Sequence, residues 1–171
     1  TLVDTEPPYF KVTQTVLKEV GIDLTRDWYV NEQLKKGTSA FDLARDLGQS
    51  EASIQALREK KDELYLESLK TGVQVMRGVV TTLNALHGKV PMAIVTTSRK
   101  VNFEQIMTAT GLAKYFDFFI VREDVVHEKP DPEPYLKAWE KSGLPKEKCL
   151  VIEDTERVVI SAKAAGLTCF A

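Results

Sequence analysis

Residues 150–155 read Leu-Val-Ile-Glu-Asp-Thr, an apolar run that ends in two adjacent carboxylates. Consecutive apolar residues are typical of a parallel strand covered on both faces, so residues 150–152 are predicted to form a buried strand. Glu153 and Asp154 then fall at the carboxyl end of that strand, where open α/β sheets bind ligands. Neighbouring carboxylates repel each other, and Mg²⁺, a cation that prefers oxygen ligands, would relieve that repulsion. The stretch therefore predicts either a metal site or an ordinary acidic turn in which Asp154 or Thr155 caps the next helix.

A second apolar run, upstream of the first, ends in hydroxyl side chains. Residues 93–100 read Ala-Ile-Val-Thr-Thr-Ser-Arg-Lys. Hydroxyl groups and backbone N–H groups at a strand-to-helix junction can bind phosphate oxygens. Thr97 or Ser98 could equally cap the helix that follows, and a cap and an anion site are compatible with each other.

A proline-rich loop lies between these two runs. Residues 128–134 read Glu-Lys-Pro-Asp-Pro-Glu-Pro, and the alternating prolines are predicted to keep the segment extended and to delay the next helix. A lysine in a loop is usually solvated. In so stiff a segment, however, Lys129 is expected to be held in a fixed position.

Together, these stretches resemble the motifs of the haloacid dehalogenase-like hydrolase superfamily, in its subgroup of small Mg²⁺-dependent phosphatases, over essentially the whole chain. The resemblance implies that Thr96 holds the transferring phosphoryl group and that Lys129 neutralises the nucleophile and the phosphate. It also implies that Asp154 binds Mg²⁺ and that Glu153 does so directly or through water. The neighbouring residues expected to bind the substrate are Thr97, Ser98 and Arg99. Arg99 and Arg157 could contact the leaving group, or they could be solvated surface residues.

The first residues of the chain resemble the end of the superfamily's first motif. Residues 1–6 read Thr-Leu-Val-Asp-Thr-Glu, and the motif is Asp-x-Asp-Gly-Thr-Leu. The resemblance implies that the nucleophilic Asp, the Asp that acts as general acid/base and an apolar strand all precede Thr1. The chain is therefore expected to be part of a longer phosphatase that works through an aspartyl-phosphate. If the chain were complete as written, a non-catalytic protein on the same fold would be the leading hypothesis.

The hydrophobic pattern predicts two kinds of architecture along the chain. Up to about residue 72 the pattern is helical, with a solvated run at residues 58–63. Beyond it, helices are predicted at 79–86, 103–110, 135–142 and 158–165, and strands at 92–95, 118–121, 150–152 and 168–170. Such alternation predicts an α/β fold with a parallel sheet. The resemblance implies a Rossmann-like core, residues 1–6 and 77–171, with an inserted all-helical cap, residues 7–76.

The cap is expected to exclude water and to select the substrate. The residues that could contact a ligand there are Trp28, Tyr29, Asn31, Glu32, Lys35 and Lys36. A sugar-phosphate mutase is the alternative within the superfamily. Mutases of this type grip a second phosphate with an Arg and use a His as an acid, whereas Ala40 and Tyr9 stand at the corresponding positions.

Composition excludes several partners. The formal net charge is −2 and 28% of the residues are charged, so no general attraction to nucleic acid or to acidic membranes is expected. No apolar run is long enough to span a bilayer. Cys149 and Cys169 lie in apolar contexts and are expected to be reduced, which predicts a cytoplasmic location. The expected partner is a small phosphorylated substrate, bound by a monomer or a weak homo-oligomer.

Overall fold

The computed structural model describes residues 1–70 and 73–171. The chain divides into two compact units, which we describe separately. The helical unit is Asp4–Val73, and the α/β unit comprises Thr1–Val3 and Gln74–Ala171. Residues 71 and 72, which the sequence pattern assigns to the end of the helical region, lie outside the described residues.

Short strands alternate with helices in the second half of the chain. In chain order the first elements are β1 (Val3–Asp4), α1 (Glu6–Lys18), α2 (Arg26–Trp28, continued by a π-helical segment Tyr29–Leu34), α3 (Asp42–Asp46), α4 (Glu51–Lys70) and β2 (Gln74–Val75). They are followed by α5 (Val79–Leu86), β3 (Ala93–Val95), α6 (Lys100–Thr110), β4 (Phe118–Ile120), α7 (Glu133–Ser142), β5 (Leu150–Ile152), α8 (Glu156–Ala164) and β6 (Thr168–Phe170). Single 3₁₀ turns cover Leu112–Tyr115, Arg122–Asp124 and Lys146–Lys148.

The helical unit is built around the packing of α1 against α4. Its core consists of side chains that are almost fully buried: Val16, Leu17, Leu24, Tyr29, Ala44 and Ile54. Removing an aliphatic side chain such as Leu17 from water stabilises the fold by about 1.5–3 kcal/mol. Two prolines lie in the first turn of α1, where the backbone N–H has no helical partner and its loss is tolerated.

One prediction for α4 is wrong. The run at residues 58–63 is not entirely solvated, because Lys61 is buried, pairs with Asp62 and places its Nζ 4.8 Å from the centre of the Tyr9 ring. Lys61 follows Leu57 by one helical turn and so falls on the apolar face.

Parallel strand pairs in the second unit confirm the α/β class. β3 pairs with β4 in the register Ala93↔Phe118, and β5 pairs with β6 in the register Leu150↔Thr168. Both ladders continue one residue past the strands. The Thr96 N–H donates to the Ile120 carbonyl at 2.9 Å, and the Glu153 N–H donates to the Phe170 carbonyl at 2.9 Å. The backbone of Thr96 and that of Glu153 are therefore part of a ladder.

Two further predictions need correction. α7 begins at Glu133 and not at 135, because Pro134 occupies its first turn, where proline is compatible with a helix. The predicted buried strand at 150–152 forms, but Leu150 is 54% and Ile152 is 62% exposed. Val151 packs against a buried cluster, whereas Leu150 and Ile152 alternate with it and point to the opposite face of β5, which is exposed. Within the described residues, β5 pairs on one edge only, with β6.

Candidate active site

Lys129 connects the carboxyl ends of the two strand pairs. Its Nζ donates to the Val95 carbonyl at 2.9 Å and lies 2.7 Å from Oε1 of Glu153. Val95 is the last residue of β3, and Glu153 directly follows β5. The lysine is 5% exposed, so its pairing with Glu153 takes place largely out of water. The prediction of a fixed Lys129 is confirmed by these contacts.

Burial lowers the pKa of Lys129, and the charges of Glu153 and Asp154 oppose that shift. A buried charge that loses its partner is strongly unfavourable. The lysine and Glu153 therefore depend on each other electrostatically as well as geometrically.

Tyr135, in the first turns of α7, completes this arrangement and was not predicted from the sequence. Its hydroxyl donates to the same Oε1 of Glu153, and its ring centre lies 4.6 Å from the Nζ of Lys129. The side chain is 3% exposed. Burial, followed by the hydrogen bond to Glu153, raises the pKa of Tyr135. The sequence signal that could have identified Tyr135 is an aromatic residue with a hydroxyl group directly after the proline-rich loop.

The backbone of that loop is held by α8. Arg157 donates from Nη2 to the Lys129 carbonyl at 2.8 Å, and Ser161 donates from Oγ to the Asp131 carbonyl at 2.5 Å. Ser161 is fully buried. Arg157 is therefore not simply solvated. It supports the loop that carries the lysine.

The start of the same loop is anchored by Glu133. Its carboxylate accepts hydrogen bonds from the backbone N–H groups of Val126 at 3.0 Å and His127 at 2.7 Å, and it pairs with Lys137 at 2.8 Å. The Lys137 hydrogen bond and then these two backbone donors lower the pKa of Glu133 to about 2. The loop is thus fixed at both ends by side chains of the helices that follow it.

The hydroxyl cluster after β3 is folded on itself. Oγ1 of Thr96 accepts from the Ser98 N–H at 3.1 Å and donates to the Ser98 Oγ at 3.1 Å. Thr97 is exposed. Neither Thr97 nor Ser98 caps α6. The cap position is Arg99, and the Lys100 N–H donates to Oε2 of Glu123 at 2.8 Å.

The carboxylates of Glu153 and Asp154 are contacted by Lys129, Tyr135 and Thr1. Glu153 Oε1 is shared by Lys129 and Tyr135, and Oε2 accepts from the Thr1 hydroxyl at 3.2 Å. Asp154 is 56% exposed, and its carboxylate lies 2.8 Å from the Thr1 amino group.

The donor set fits a magnesium ion. Mg²⁺ in proteins is held by one or two carboxylates, with water and substrate phosphate completing its shell. Asp154 and Oε2 of Glu153 provide two such carboxylates. Across the described residues, no group of three or more His, Cys, Asp or Glu side chains is placed to bind a metal. The remaining ligands would therefore come from water, phosphate or other residues.

The candidate ligand residues of the helical unit differ in how far they are exposed. Tyr29 is 1% exposed and donates to Oε2 of Glu6 at 2.8 Å, so it belongs to the core and its predicted ligand contact is wrong. The exposed lysines pair within their own segment, Lys36 with Glu32 at 2.7 Å and Lys35 with Asn31 at 2.9 Å. Trp28 is partly buried against the helical core.

Among the helices of the described residues, none combines the length and the apolar character that a membrane span requires.

Comparison with known proteins shows a match over the whole chain. The family model for haloacid dehalogenase-like hydrolases matches residues 1–171. The fructose-1-phosphate phosphatase YqaB of Escherichia coli K12 is 28% identical over 98% of this chain and 88% of its own length. The phosphoglycolate phosphatase of the same organism is 32% identical over 68% of this chain, but the match spans 47% of that protein. The crystal structure of a predicted phosphoglycolate phosphatase from Haemophilus somnus superposes with a TM-score of 0.87 over 99% of this chain and 79% of its own, at 23% identity, which bears on the fold alone.

Proposed function

This chain belongs to the haloacid dehalogenase-like hydrolase family, and we propose that its protein hydrolyses small phosphate monoesters with Mg²⁺ through an aspartyl-phosphate. The observation that carries the proposal is the position of Lys129. Its buried ammonium group lies at the carboxyl ends of both β3 and β5, bound to the Val95 carbonyl and to Glu153. A fixed cation at this place is suited to the charge that develops on phosphoryl oxygens.

Each of the other site residues has a role in this proposal. Thr96 would hold a phosphoryl oxygen through its hydroxyl, which would require its contact with Ser98 to be exchanged for one with the substrate. Asp154 and Oε2 of Glu153 would hold Mg²⁺, which supplies positive charge next to the phosphoryl group when bound. Thr97, Ser98 and Arg99 would contact the rest of the substrate.

The nucleophile in this proposal is an Asp that precedes Thr1 in a longer chain. The position of Thr1 supports that placement, because its amino group lies 2.8 Å from Asp154 and its hydroxyl lies 3.2 Å from Glu153. Residues joined to Thr1 would therefore lie beside the acidic pair. The Asp carboxylate would attack phosphorus as the alcohol departs with a proton from a second Asp, and water would then cleave the acyl phosphate.

The names of two relatives support the proposed substrate class. One is named a fructose-1-phosphate phosphatase and another a phosphoglycolate phosphatase, and both names describe small phosphate monoesters. We assign the choice among such esters to the helical unit, which would act as a cap formed by residues 7–76. The exposed polar residues that could make the selection are Asn31, Glu32, Lys35 and Lys36, together with Trp28.

The test uses the full-length protein and a panel of esters that includes fructose 1-phosphate, phosphoglycolate and an aryl phosphate. Phosphate release that requires Mg²⁺ and stops with a chelator is expected. Trapping of an acid-stable, hydroxylamine-sensitive phosphoenzyme would support the aspartyl-phosphate. Failure to hydrolyse any ester, or turnover that is indifferent to chelation, would contradict the proposal.

A further inference from the structure

Tyr135 contacts both members of the ion pair at the candidate active site. Its hydroxyl donates to Oε1 of Glu153, the same oxygen that receives the ammonium group of Lys129. The face of its ring lies 4.6 Å from that ammonium group. One side chain therefore fixes the anion through a hydrogen bond and the cation through its π-system.

The hydroxyl group is the part of Tyr135 that packing does not explain. The ring belongs to a buried cluster with Ala162, Ala165 and Leu167, and phenylalanine would fill the same space. Burying a hydroxyl is unfavourable unless it is hydrogen-bonded, and here its partner is a charged carboxylate at the site.

We propose that Tyr135 is a positioning residue that holds the Lys129 ammonium group and the Glu153 carboxylate in one geometry. This inference rests on the proposed function, because it concerns the cation assigned to the phosphoryl group. The Lys129 ammonium group has two polar contacts, and the one with the Val95 carbonyl does not fix the orientation of the Glu153 carboxylate. The Tyr135 hydroxyl keeps Oε1 directed at the lysine and leaves Oε2 on the side of Thr1.

Tyr135 is itself held in place by backbone and side-chain hydrogen bonds. Its N–H donates to the Pro132 carbonyl at 3.1 Å in the first turn of α7. The preceding loop is held by the Ser161 contact with the Asp131 carbonyl. A residue fixed in this way can restrict its neighbours, since its own rotamer is set by packing.

The decisive variant is Tyr135→Phe in the full-length protein, which removes one oxygen atom and keeps the ring. Tyr115→Phe is the matched control, because Tyr115 is also buried and its hydroxyl donates to Oδ1 of Asn84 at 2.8 Å. We expect kcat of Tyr135→Phe to fall about 10- to 100-fold, as for the loss of a hydrogen bond to a charged group, with KM nearly unchanged. The control should keep its kcat, and both variants should melt at similar temperatures.

A second measurement does not depend on turnover. Acetylation of Lys129 by acetic anhydride, followed by peptide mass spectrometry, should be slow in the wild type and in Tyr115→Phe. It should be several-fold faster in Tyr135→Phe, because Glu153 loses the hydrogen bond that orients it and then restrains the ammonium group less. An unchanged labelling rate, an unchanged kcat, or a Tyr135→Phe protein that fails to fold while Tyr115→Phe folds would each overturn the inference. A wild type that labels as expected but hydrolyses no ester would contradict the proposed function alone.

Discussion

Lys129 depends on Glu153, and Glu153 depends on Lys129 and Tyr135. Replacing the lysine alone, as Lys129→Met, would leave a partly buried carboxylate without its cation, which should lower the free energy of unfolding by about 3–5 kcal/mol. It should also lower kcat by about 100- to 1000-fold, since one preorganised group that stabilises charge is lost. Urea unfolding and initial rates on the full-length protein measure the two effects.

The double variant Lys129→Met with Glu153→Gln separates these two effects. It removes both charges, so much of the lost stability should return while kcat stays low. A single variant that unfolds early but keeps its kcat per folded molecule would show that Lys129 is structural.

Asp154 is the more exposed carboxylate of the pair and the one proposed to bind Mg²⁺. In the full-length protein, Asp154→Asn should raise the Mg²⁺ concentration needed for half-maximal phosphate release and lower the maximal rate, because a ligand charge is lost. Glu104→Gln is a suitable control, since Glu104 is an exposed carboxylate on α6. A Mg²⁺ dependence equal to that of the control would rule out the proposed role of Asp154.

Site residues at strand ends could be predicted from the sequence, whereas residues that act through contacts distant in the chain were missed. Thr96, Glu153 and Asp154 follow apolar runs directly, so their positions can be inferred from strand ends. Tyr135 and Ser161 reach partners 18 and 30 residues away. Such contacts depend on how α7 and α8 pack against the loop, which no local pattern records.

At the level of elements, the loop between β4 and α7 is the part that most directly determines where Lys129 lies. Glu133 holds the loop by accepting two backbone hydrogen bonds, and its pKa is lowered from 4.5 to about 2. A carboxyl group whose pKa is lowered on folding stabilises the folded state above its unfolded pKa. That contribution is lost as the pH falls from 4.5 toward 2.

A pH series tests this anchor. Near neutral pH, Glu133→Gln should unfold at a lower urea concentration than the wild type, and the gap should narrow as the pH falls below about 4.5. Glu140→Gln on the same helix controls for the removal of one negative charge. A gap between wild type and Glu133→Gln that is constant with pH would mean that the carboxylate does not hold the loop.

Strand boundaries were predicted better than the starts of helices, since α6 begins at Lys100 and not at 103, and α8 begins at Glu156 and not at 158. The strands at 150–152 and 168–170 and the helix at 79–86 form as predicted. α7 starts earlier than predicted, because proline in a first turn does not oppose a helix. Lys61 was misjudged because the charge of its neighbours masked its place on the apolar face of α4.

At the level of the whole molecule, the proposed mechanism distributes its groups between this chain and residues before Thr1. The polypeptide Thr1–Ala171 alone should therefore release no phosphate from any ester, because charge stabilisation cannot replace the covalent step. A chain that begins upstream, with the Asp-x-Asp-Gly sequence, should be active. Parallel assays of the two polypeptides make the comparison, and turnover by a homogeneous preparation of residues 1–171 would overturn the mechanism.

The α/β class and the identity of the strand ends could be predicted because buried strands and their polar termini are local features. The exposure of Leu150 and Ile152 could not, since it depends on what packs against that face of β5. Exposed apolar residues on a strand that is paired along one edge favour association with other chains. Preparations of Thr1–Ala171 should accordingly be examined for aggregation before any assay is interpreted.

The ladders that continue past β3 and β5 also determine how the site moves. Because the N–H groups of Thr96 and Glu153 are bonded to the neighbouring strands, these amides should exchange with deuterium only when a strand pair opens. The amide of exposed Thr97, one residue further on, should exchange much faster. Hydrogen exchange resolved by residue would show whether Thr96, whose hydroxyl is proposed to bind phosphate, has the slow dynamics of a sheet or the fast dynamics of a loop. Equal exchange rates at Thr96 and Thr97 would place the hydroxyl on a flexible segment.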